Sequence, residues 1–217
     1  MHNSINNLAL INDQIKSKFG LVKNLKIIAV SKTFPISEIN PLIENGHLHF
    51  GENKVQEAVD KWSDIKKLNK NLKLHMIGKL QTNKVKYAIP LFDYIHSLDN
   101  IKLAEKIATE QINKNQNLKI FIQVNIGNES QKSGINISEL KNFYEKCTQE
   151  FNLNIVGLMC LPPQHGSAKN YFNEMVELKK TLNVENLSMG MSEDYLEAIA
   201  CGATYIRIGS KIFGDRS

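Results

Sequence analysis

The chain has 217 residues, a mass of 24.6 kDa, a net charge of +5 and a pI near 9.0. Hydrophobic residues make up 42% and charged residues 23%, which is ordinary for a globular protein and enough for one sizeable core. The lysines are scattered and no dense basic run carries interleaved aromatic residues, so the composition speaks against a nucleic-acid groove.

The three cysteines, Cys147, Cys160 and Cys201, stand far apart and form no Cys-x-x-Cys spacing. Such a sparse, odd set is typical of a reducing compartment and argues against a disulfide scaffold. The first residues lack the basic start and apolar stretch of a secretory signal, and no run is long and apolar enough to span a bilayer. We therefore expect a cytoplasmic protein without a membrane segment.

The predicted elements alternate along the chain after an opening helix. Residues 3–19 repeat apolar side chains at spacings of three and four, which predicts that helix. Eight short apolar runs then predict strands at 25–30, 47–50, 74–77, 94–97, 119–125, 154–158, 186–189 and 205–208. Helices are predicted between the strands, at 37–45, 55–65, 79–89, 100–112, 138–150, 168–182 and 192–201.

A strand–helix alternation repeated eight times implies a parallel sheet. Eight units in this length predict an α/β fold, a (β/α)8 TIM barrel with an extra N-terminal helix. An open doubly wound sheet is the alternative, but no Gly-x-Gly-x-x-Gly run follows the first strand, which weakens that interpretation. No linker or low-complexity tract divides the sequence, so we expect a single domain over residues 1–217.

Lys32 closes the most apolar run near the start of the chain, where an amine does nothing for a buried strand. In such a barrel, chemistry collects at the carboxyl ends of the strands. An amine at the mouth of a pocket can form an imine with a carbonyl compound, provided that burial or nearby cations depress its pKa. From position alone, however, a merely solvated lysine is the better-supported interpretation.

Two later segments have the chemistry of a phosphate seat. Ser192 follows Gly190 and is predicted to begin a helix, whose free N–H groups attract an anion. Gly209 and Ser210 repeat this chemistry after the last strand, and barrels often seat a phosphate with the loops after strands seven and eight. The alternative for Ser192 is an ordinary helix cap. Because two such segments follow adjacent strands, the two interpretations are evenly balanced.

Arg207 lies inside an otherwise apolar strand. Period-two alternation places it on the same face as Tyr205 and Gly209, pointing into the barrel mouth. A desolvated guanidinium needs a partner, which is either a polar ligand atom or a structural ion pair with an acidic residue. Spacing alone slightly favours the ion pair.

Other polar residues have ordinary structural interpretations. Asn53 and Gln56 fit a helix cap, and His75 fits a buried, hydrogen-bonded histidine better than a base. His47 and His49 share a strand face, but two ligands without a third give little support for a metal. We expect no metal site.

Several longer motifs, in order over nearly the whole chain, resemble one known family. They are AVSKT at 29–33, FGENKVQE at 50–57, HMIGKLQTNK at 75–84, KSG at 132–134, GLM at 157–159, LSMGMS at 187–192 and RIGSKIFG at 207–214. In these motifs the sequence resembles the pyridoxal-phosphate homeostasis protein family (YggS/PROSC). The resemblance implies the barrel of the alanine racemase N-terminal domain.

The resemblance also implies pyridoxal 5′-phosphate (PLP) as cofactor, held as an imine on the lysine at the end of the first strand. The implied cofactor-binding residues are Lys32, Asn53, Ser192, Arg207, Gly209 and Ser210. Within this set the two serines and the glycine hold the phosphate, the arginine faces the pyridine nitrogen and the asparagine lines the ring pocket. Lys132 is implied as an accessory basic residue near the entrance.

The implied function is a carrier that buffers and delivers PLP inside the cell, without catalytic residues of its own. Its partners are PLP and, in transient contacts, PLP-dependent apo-enzymes, and we expect a monomer. The alternative is an amino-acid racemase-like enzyme, which needs acid–base groups on both faces of the imine. In racemases the second group is a tyrosine supported by a further C-terminal domain, which we do not expect after Ser217. A third possibility is a Schiff-base aldolase barrel without cofactor.

Overall fold

Eight parallel strands close into a barrel in chain order, with each strand paired to the next and the last paired to the first. The computed structural model describes residues 2–129, 131–163 and 166–214. The strands are β1 Lys26–Val30, β2 His49–Glu52, β3 Lys73–Met76, β4 Tyr94–Leu98, β5 Lys119–Val124, β6 Ile155–Cys160, β7 Asn186–Ser188 and β8 Tyr205–Ile208. This topology confirms the predicted (β/α)8 barrel.

Helices alternate with the strands around the outside. They are α1 Asn3–Phe19, α2 Ile36–Glu44, α3 Val55–Leu68, α4 Val85–Ala88, α5 Ile101–Lys114, α6 Ile137–Glu145, α7 Ala168–Leu182, α8 Tyr195–Ala200 and α9 Ser210–Phe213. A π-helical turn, Lys146–Glu150, continues α6. The extra N-terminal helix is α1, which packs against α2 and α9 and donates a hydrogen bond from Asn7 Nδ2 to Ile212 O (3.0 Å).

The start of β2 was predicted two residues too early. The N–H of His47 donates to Leu42 O (2.9 Å), so this residue closes α2 instead of opening the strand. Gly46 turns the chain there with a φ of 85°. At its other end the strand continues to Glu52, which pairs with Met76 of β3.

The start of α8 was also predicted wrongly. The helix begins at Tyr195, because Asp194 Oδ1 accepts the N–H of Met191 (2.6 Å) and residues 192–194 form a turn ahead of it. Ser192 is therefore not the first residue of a helix, contrary to the prediction.

Two further helix starts differ from the prediction. The helix expected over 79–89 is a 3₁₀ turn, Thr82–Lys84, followed by the single turn of α4, because Lys84 N–H bonds to the carbonyl of Gln81 three residues back. Ser37 lies inside α2 and does not cap it, since Pro35 occupies the N-cap with a φ of −69°.

The apolar residues form an outer and an inner layer. In the outer layer, between strands and helices, Trp62 is fully buried beside Phe50, and replacing such a residue with alanine costs roughly 3–5 kcal/mol. The inner layer fills the barrel with Ile28, Tyr94, Phe121, Met159 and Tyr205. Ile206 and Ile208 belong to the outer layer, which confirms the alternation predicted for the last strand.

Among the residues that the structure describes, no helix is long and apolar enough to cross a membrane.

Candidate functional site

A cavity of about 760 Å³ opens where the strands end at the carboxyl side of the barrel. Its wall is formed by residues that end or follow β1, β2, β3, β6, β7 and β8. The volume lies in the range of small-molecule sites. All six residues predicted to bind a cofactor lie on this wall: Lys32, Asn53, Ser192, Arg207, Gly209 and Ser210.

The register of β1 carries Lys32 into the cavity. Ile28 faces the barrel interior and is paired with Arg207 of the neighbouring β8. Val30 and Lys32 follow at steps of two, so they share that face, and both line the cavity. The lysine is partly buried.

The turn after Lys32 is strained and held from α3. Thr33 has a φ of 69°, which is a genuine outlier for a β-branched residue. Its N–H donates to Glu57 Oε1 (2.6 Å), and Lys61 Nζ donates to the carbonyl of Ser31 (3.0 Å) and to Glu57 (3.0 Å). Burial alone would raise the pKa of Glu57, but Thr33 N–H and Lys61 together bring it below its ordinary value.

Glu52 supports the same turn from inside. Its fully buried carboxylate accepts hydrogen bonds at Oε1 from Ser31 Oγ (2.7 Å), Trp62 Nε1 (2.9 Å) and Lys61 Nζ (3.1 Å). The residues on both sides of Lys32 are thereby fixed. Sequence reasoning missed this support, although Glu57 and Lys61 stand one helical turn apart directly after the strand, which is a readable signal.

The two predicted phosphate segments meet at their hydroxyls. Ser210 Oγ donates to Ser192 Oγ across 3.0 Å. Gly190 has a φ of 92°, and a Cβ there would lie 2.6 Å from Ala198 Cβ, so this glycine allows α8 to pack closely. The seat that the structure offers an anion is therefore a pair of hydroxyls beside Gly209, where the short helix α9 begins at Ser210, whereas no helix begins at Ser192.

Arg207 is buried, with 4% of its surface exposed, and lines the cavity. Its Nη1 donates to Ser188 Oγ (2.6 Å) and its Nη2 to Cys160 O (2.9 Å). No ion pair among the described residues includes it, so the alternative of a structural ion pair finds no support there. Burial lowers the pKa of Arg207, but an arginine remains protonated in proteins.

Asn53 brings an unpaired acceptor to the wall. Its Oδ1 is buried and has no hydrogen-bond partner within the described chain. The N-cap of α3 is Lys54, so Asn53 is not the cap that the alternative interpretation required. A buried acceptor without a donor costs about 1–3 kcal/mol, which a polar ligand in the cavity would offset. An amine, a guanidinium, two hydroxyls and this carbonyl suit an anionic, polar ring compound such as PLP.

Lys132 is not on the cavity wall. Its Nζ forms an ion pair with Glu129 Oε2 (2.6 Å) and donates to Pro162 O (3.2 Å). The accessory role implied for this lysine therefore stays a prediction.

Among the described residues, no group of three or more histidine, cysteine, aspartate or glutamate side chains is arranged so that it could hold a metal ion. His75 is fully buried and hydrogen-bonded, as predicted, with its Nε2 3.0 Å from His49 Nδ1 and its Nδ1 2.9 Å from His96 Nε2. His96 was missed by sequence reasoning, because a lone histidine in an apolar run gives no sign of its neighbours.

Comparisons with known proteins show which family the chain belongs to. The family model described as the N-terminal domain of alanine racemase matches residues 6–217. A relative named pyridoxal phosphate homeostasis protein from Haemophilus influenzae is 37% identical over 225 residues, which cover 97% of this chain and 95% of the relative. The Escherichia coli K12 protein of the same name is 33% identical over 229 residues, covering 100% of this chain and 98% of its own.

Solved structures give the same result. PipY of Synechococcus elongatus PCC7942 with PLP bound has a TM-score of 0.85 at 33% identity, and the match covers 97% of this chain and 100% of PipY. An alanine racemase of Clostridium difficile 630 shares the fold alone, with a TM-score of 0.74 at 14% identity, over 99% of this chain and 57% of the racemase. The chain thus belongs to the pyridoxal phosphate homeostasis protein family, built on the N-terminal domain of alanine racemase.

Proposed function

We propose that this protein binds PLP in the cavity at the carboxyl ends of the strands and takes part in PLP homeostasis, as a carrier that buffers and delivers the cofactor. The observation that supports this most is the convergence of Lys32, Arg207, Ser192 and Ser210 on one cavity wall. The names of the relatives and the PLP-bound PipY structure support it independently.

Each wall residue has a role in this proposal. Lys32 Nζ holds the cofactor's aldehyde carbon in a Schiff base, formed with loss of one water, so the link is covalent yet reversible. Ser192 and Ser210, beside Gly209, hydrogen-bond the phosphate, and Asn53 lines the ring pocket. When bound, the cofactor supplies an electrophilic carbon and an electron-withdrawing ring.

An arginine at position 207 favours storage of PLP over its use in a catalytic reaction. A guanidinium that donates to the pyridine nitrogen disfavours protonation there, so the ring withdraws electrons less than one paired with a carboxylate. We therefore infer that the protein lacks significant turnover. We also infer that it is a monomeric cytoplasmic protein with transient contacts to apo-enzymes. Its three free cysteines fit a reducing compartment.

The racemase-like alternative has less support. Racemisation needs an acid–base group on each face of the bound substrate. Lys32 fits one of these roles, but among the described residues no tyrosine lines the cavity.

Borohydride reduction of the PLP-loaded protein, followed by peptide mass mapping, tests the proposal. We expect a pyridoxyl adduct on Lys32, loss of the yellow colour in Lys32→Ala, and full labelling in the matched control Lys67→Ala, whose side chain is exposed on α3 and does not line the cavity. In parallel, the purified protein is assayed for racemisation and transamination of amino acids. An adduct only on another lysine would refute the site, and steady turnover would refute the carrier role.

A further inference from the structure

A line of hydrogen-bonded polar side chains crosses the interior of the barrel and ends at the cavity. His49 Nδ1 lies 3.0 Å from His75 Nε2, and His75 Nδ1 lies 2.9 Å from His96 Nε2. His96 Nδ1 lies 2.8 Å from Ser188 Oγ, which accepts from Arg207 Nη1 (2.6 Å). We call these five residues the interior chain. Each comes from a different strand, β2, β3, β4, β7 and β8.

The interior chain is unusual for a barrel, whose centre is ordinarily filled by branched aliphatic residues. His75, His96 and Ser188 are all fully buried. The two imidazoles are also clamped by aromatic rings: His75 stacks on Tyr94 and His96 on Phe121, with centroids 4.2 and 4.3 Å apart and an interplanar angle of 14° in both. Buried polar groups in such a place are tolerated when every member is satisfied.

The hydrogen bonds of the interior chain run in one direction. Arginine has only donors, so Ser188 Oγ must accept from Arg207. The serine's own proton then goes to His96 Nδ1, its one other hydrogen-bonding neighbour in the described chain. His96 consequently carries its proton on Nε2 and donates to His75 Nδ1, and His75 donates from Nε2 to His49. The opposite order would leave the Ser188 hydroxyl proton buried without an acceptor.

His75 and His96 of the interior chain are also neutral, and its charge lies on Arg207. Burial lowers the pKa of both His75 and His96 well below the ordinary value, and the charge of Arg207 lowers that of His96 further. A protonated imidazole would have two donors and no acceptor, which would break the chain at that link. In each of these two imidazoles the acceptor nitrogen, Nδ1, therefore points towards the guanidinium, and the donor nitrogen, Nε2, points away from it.

We propose that Ser188, His96 and His75 are positioning residues for Arg207, forming an oriented neutral hydrogen-bond chain that fixes the guanidinium in the cavity wall. This arrangement holds the guanidinium by hydrogen bonds to a hydroxyl and a carbonyl and not by an ion pair among the described residues, while Asp194 on the same wall favours its charged form from a longer distance. The inference rests on the proposed function in that Arg207 is taken to face the cofactor ring. It adds three residues that touch no ligand but set the position of the one that does.

Nitrogen-15 NMR of histidines in the protein without cofactor tests the orientation directly. Between about pH 6 and 8 we expect His75 and His96 to be neutral and protonated on Nε2 only. Either ring protonated on Nδ1, or carrying both protons, would overturn the inference. This measurement needs no variant and no PLP.

Ser188→Ala tests the consequence for the cavity. We expect His96 to lose its single tautomer and the Kd for PLP to rise about tenfold, as loss of a hydrogen bond to a charged group predicts, with Ser188→Thr restoring both. Ser97→Ala is the matched control, since Ser97 Oγ is equally buried on β4 but has no hydrogen-bond partner among the described residues. It should leave the His96 signals and the Kd unchanged.

The outcomes separate the two proposals. If the NMR signals are as expected but no adduct forms on Lys32, the proposed function fails, whereas the inference that the interior chain positions Arg207 is kept. If PLP binds but Ser188→Ala changes the tautomers and the Kd no more than Ser97→Ala does, the positioning role fails.

Discussion

At the scale of single residues, the pair of serines decides how the phosphate is recognised. Ser192 Oγ and Ser210 Oγ are 3.0 Å apart on the cavity wall, and because no helix starts at Ser192, its hydroxyl is the group that this residue offers to the phosphate. We expect Ser192→Ala to raise the Kd for PLP at least about tenfold, because a hydrogen bond to a charged group contributes about 1.5–3 kcal/mol. An absorbance titration of the protein with PLP measures this change.

Pyridoxal, which lacks the phosphate, is the control ligand for that prediction. Its Kd should be the same for the native protein and for Ser192→Ala, and Ser63→Ala on α3 should leave both ligands unaffected, because Ser63 Oγ bonds only to the carbonyl of Val59 within the described chain. Equal weakening of PLP and pyridoxal would mean that Ser192 shapes the cavity and does not bind the phosphate.

At the scale of elements, α3 holds the turn that presents Lys32. We expect Glu57→Ala to raise the Kd for PLP several-fold and to slow adduct formation on Lys32, because the strained backbone of Thr33 loses its charged acceptor. Asp60→Ala on the same helix is the matched control, since its carboxylate accepts from Gln56, away from the turn. Stopped-flow absorbance after mixing with PLP follows the adduct.

A second substitution distinguishes positioning from a general loss of structure. Thr33→Gly in the Glu57→Ala background should recover part of the affinity, because glycine adopts a φ of 69° without strain. No recovery, together with a large drop in melting temperature, would show that Glu57 stabilises the barrel as a whole.

The elements themselves were largely predictable from sequence, but their ends were not. Apolar runs identify strands because each must be buried on both faces of a parallel barrel. The ends depend on individual hydrogen bonds close to each terminus, as two of the misplaced starts show: His47 N–H donates to Leu42 O, and Met191 N–H donates to Asp194 Oδ1. The spacing of apolar residues along the sequence gives no information about such hydrogen bonds.

The residues of the candidate site were also only partly predictable from the sequence. Lys32 and Arg207 were identified as candidates because a charged residue in an apolar strand is anomalous and the barrel fold places strand ends together. Ser188 and His96 were missed because their roles come from a contact across 92 sequence positions, between side chains that look ordinary in their own segments. Family resemblance supplied the cofactor, which the residue pattern alone left open.

At the scale of the whole molecule, the buried histidines make stability depend on pH. Burial lowers the pKa of His47, His75 and His96, and it brings that of His49 down to about 4 with further help from His47 and Lys26. The unfolded chain binds protons near pH 6.5, whereas the folded chain does not. Unfolding therefore takes up protons below pH 6.5, and the free energy of unfolding falls as the pH falls.

We expect each such histidine to contribute a slope approaching about 1.4 kcal/mol per pH unit below its unfolded pKa, lasting until its folded pKa is reached. Urea unfolding at about pH 7.5, 6.5 and 5.5 measures the effect while ordinary carboxylates, with a pKa near 4, stay ionised. His49→Gln should make the dependence shallower, because it removes one titrating group and keeps a polar partner for His75. A stability that is flat or rises towards pH 5.5 would mean that these imidazoles take up protons in the folded state, and it would contradict the neutral interior chain as well.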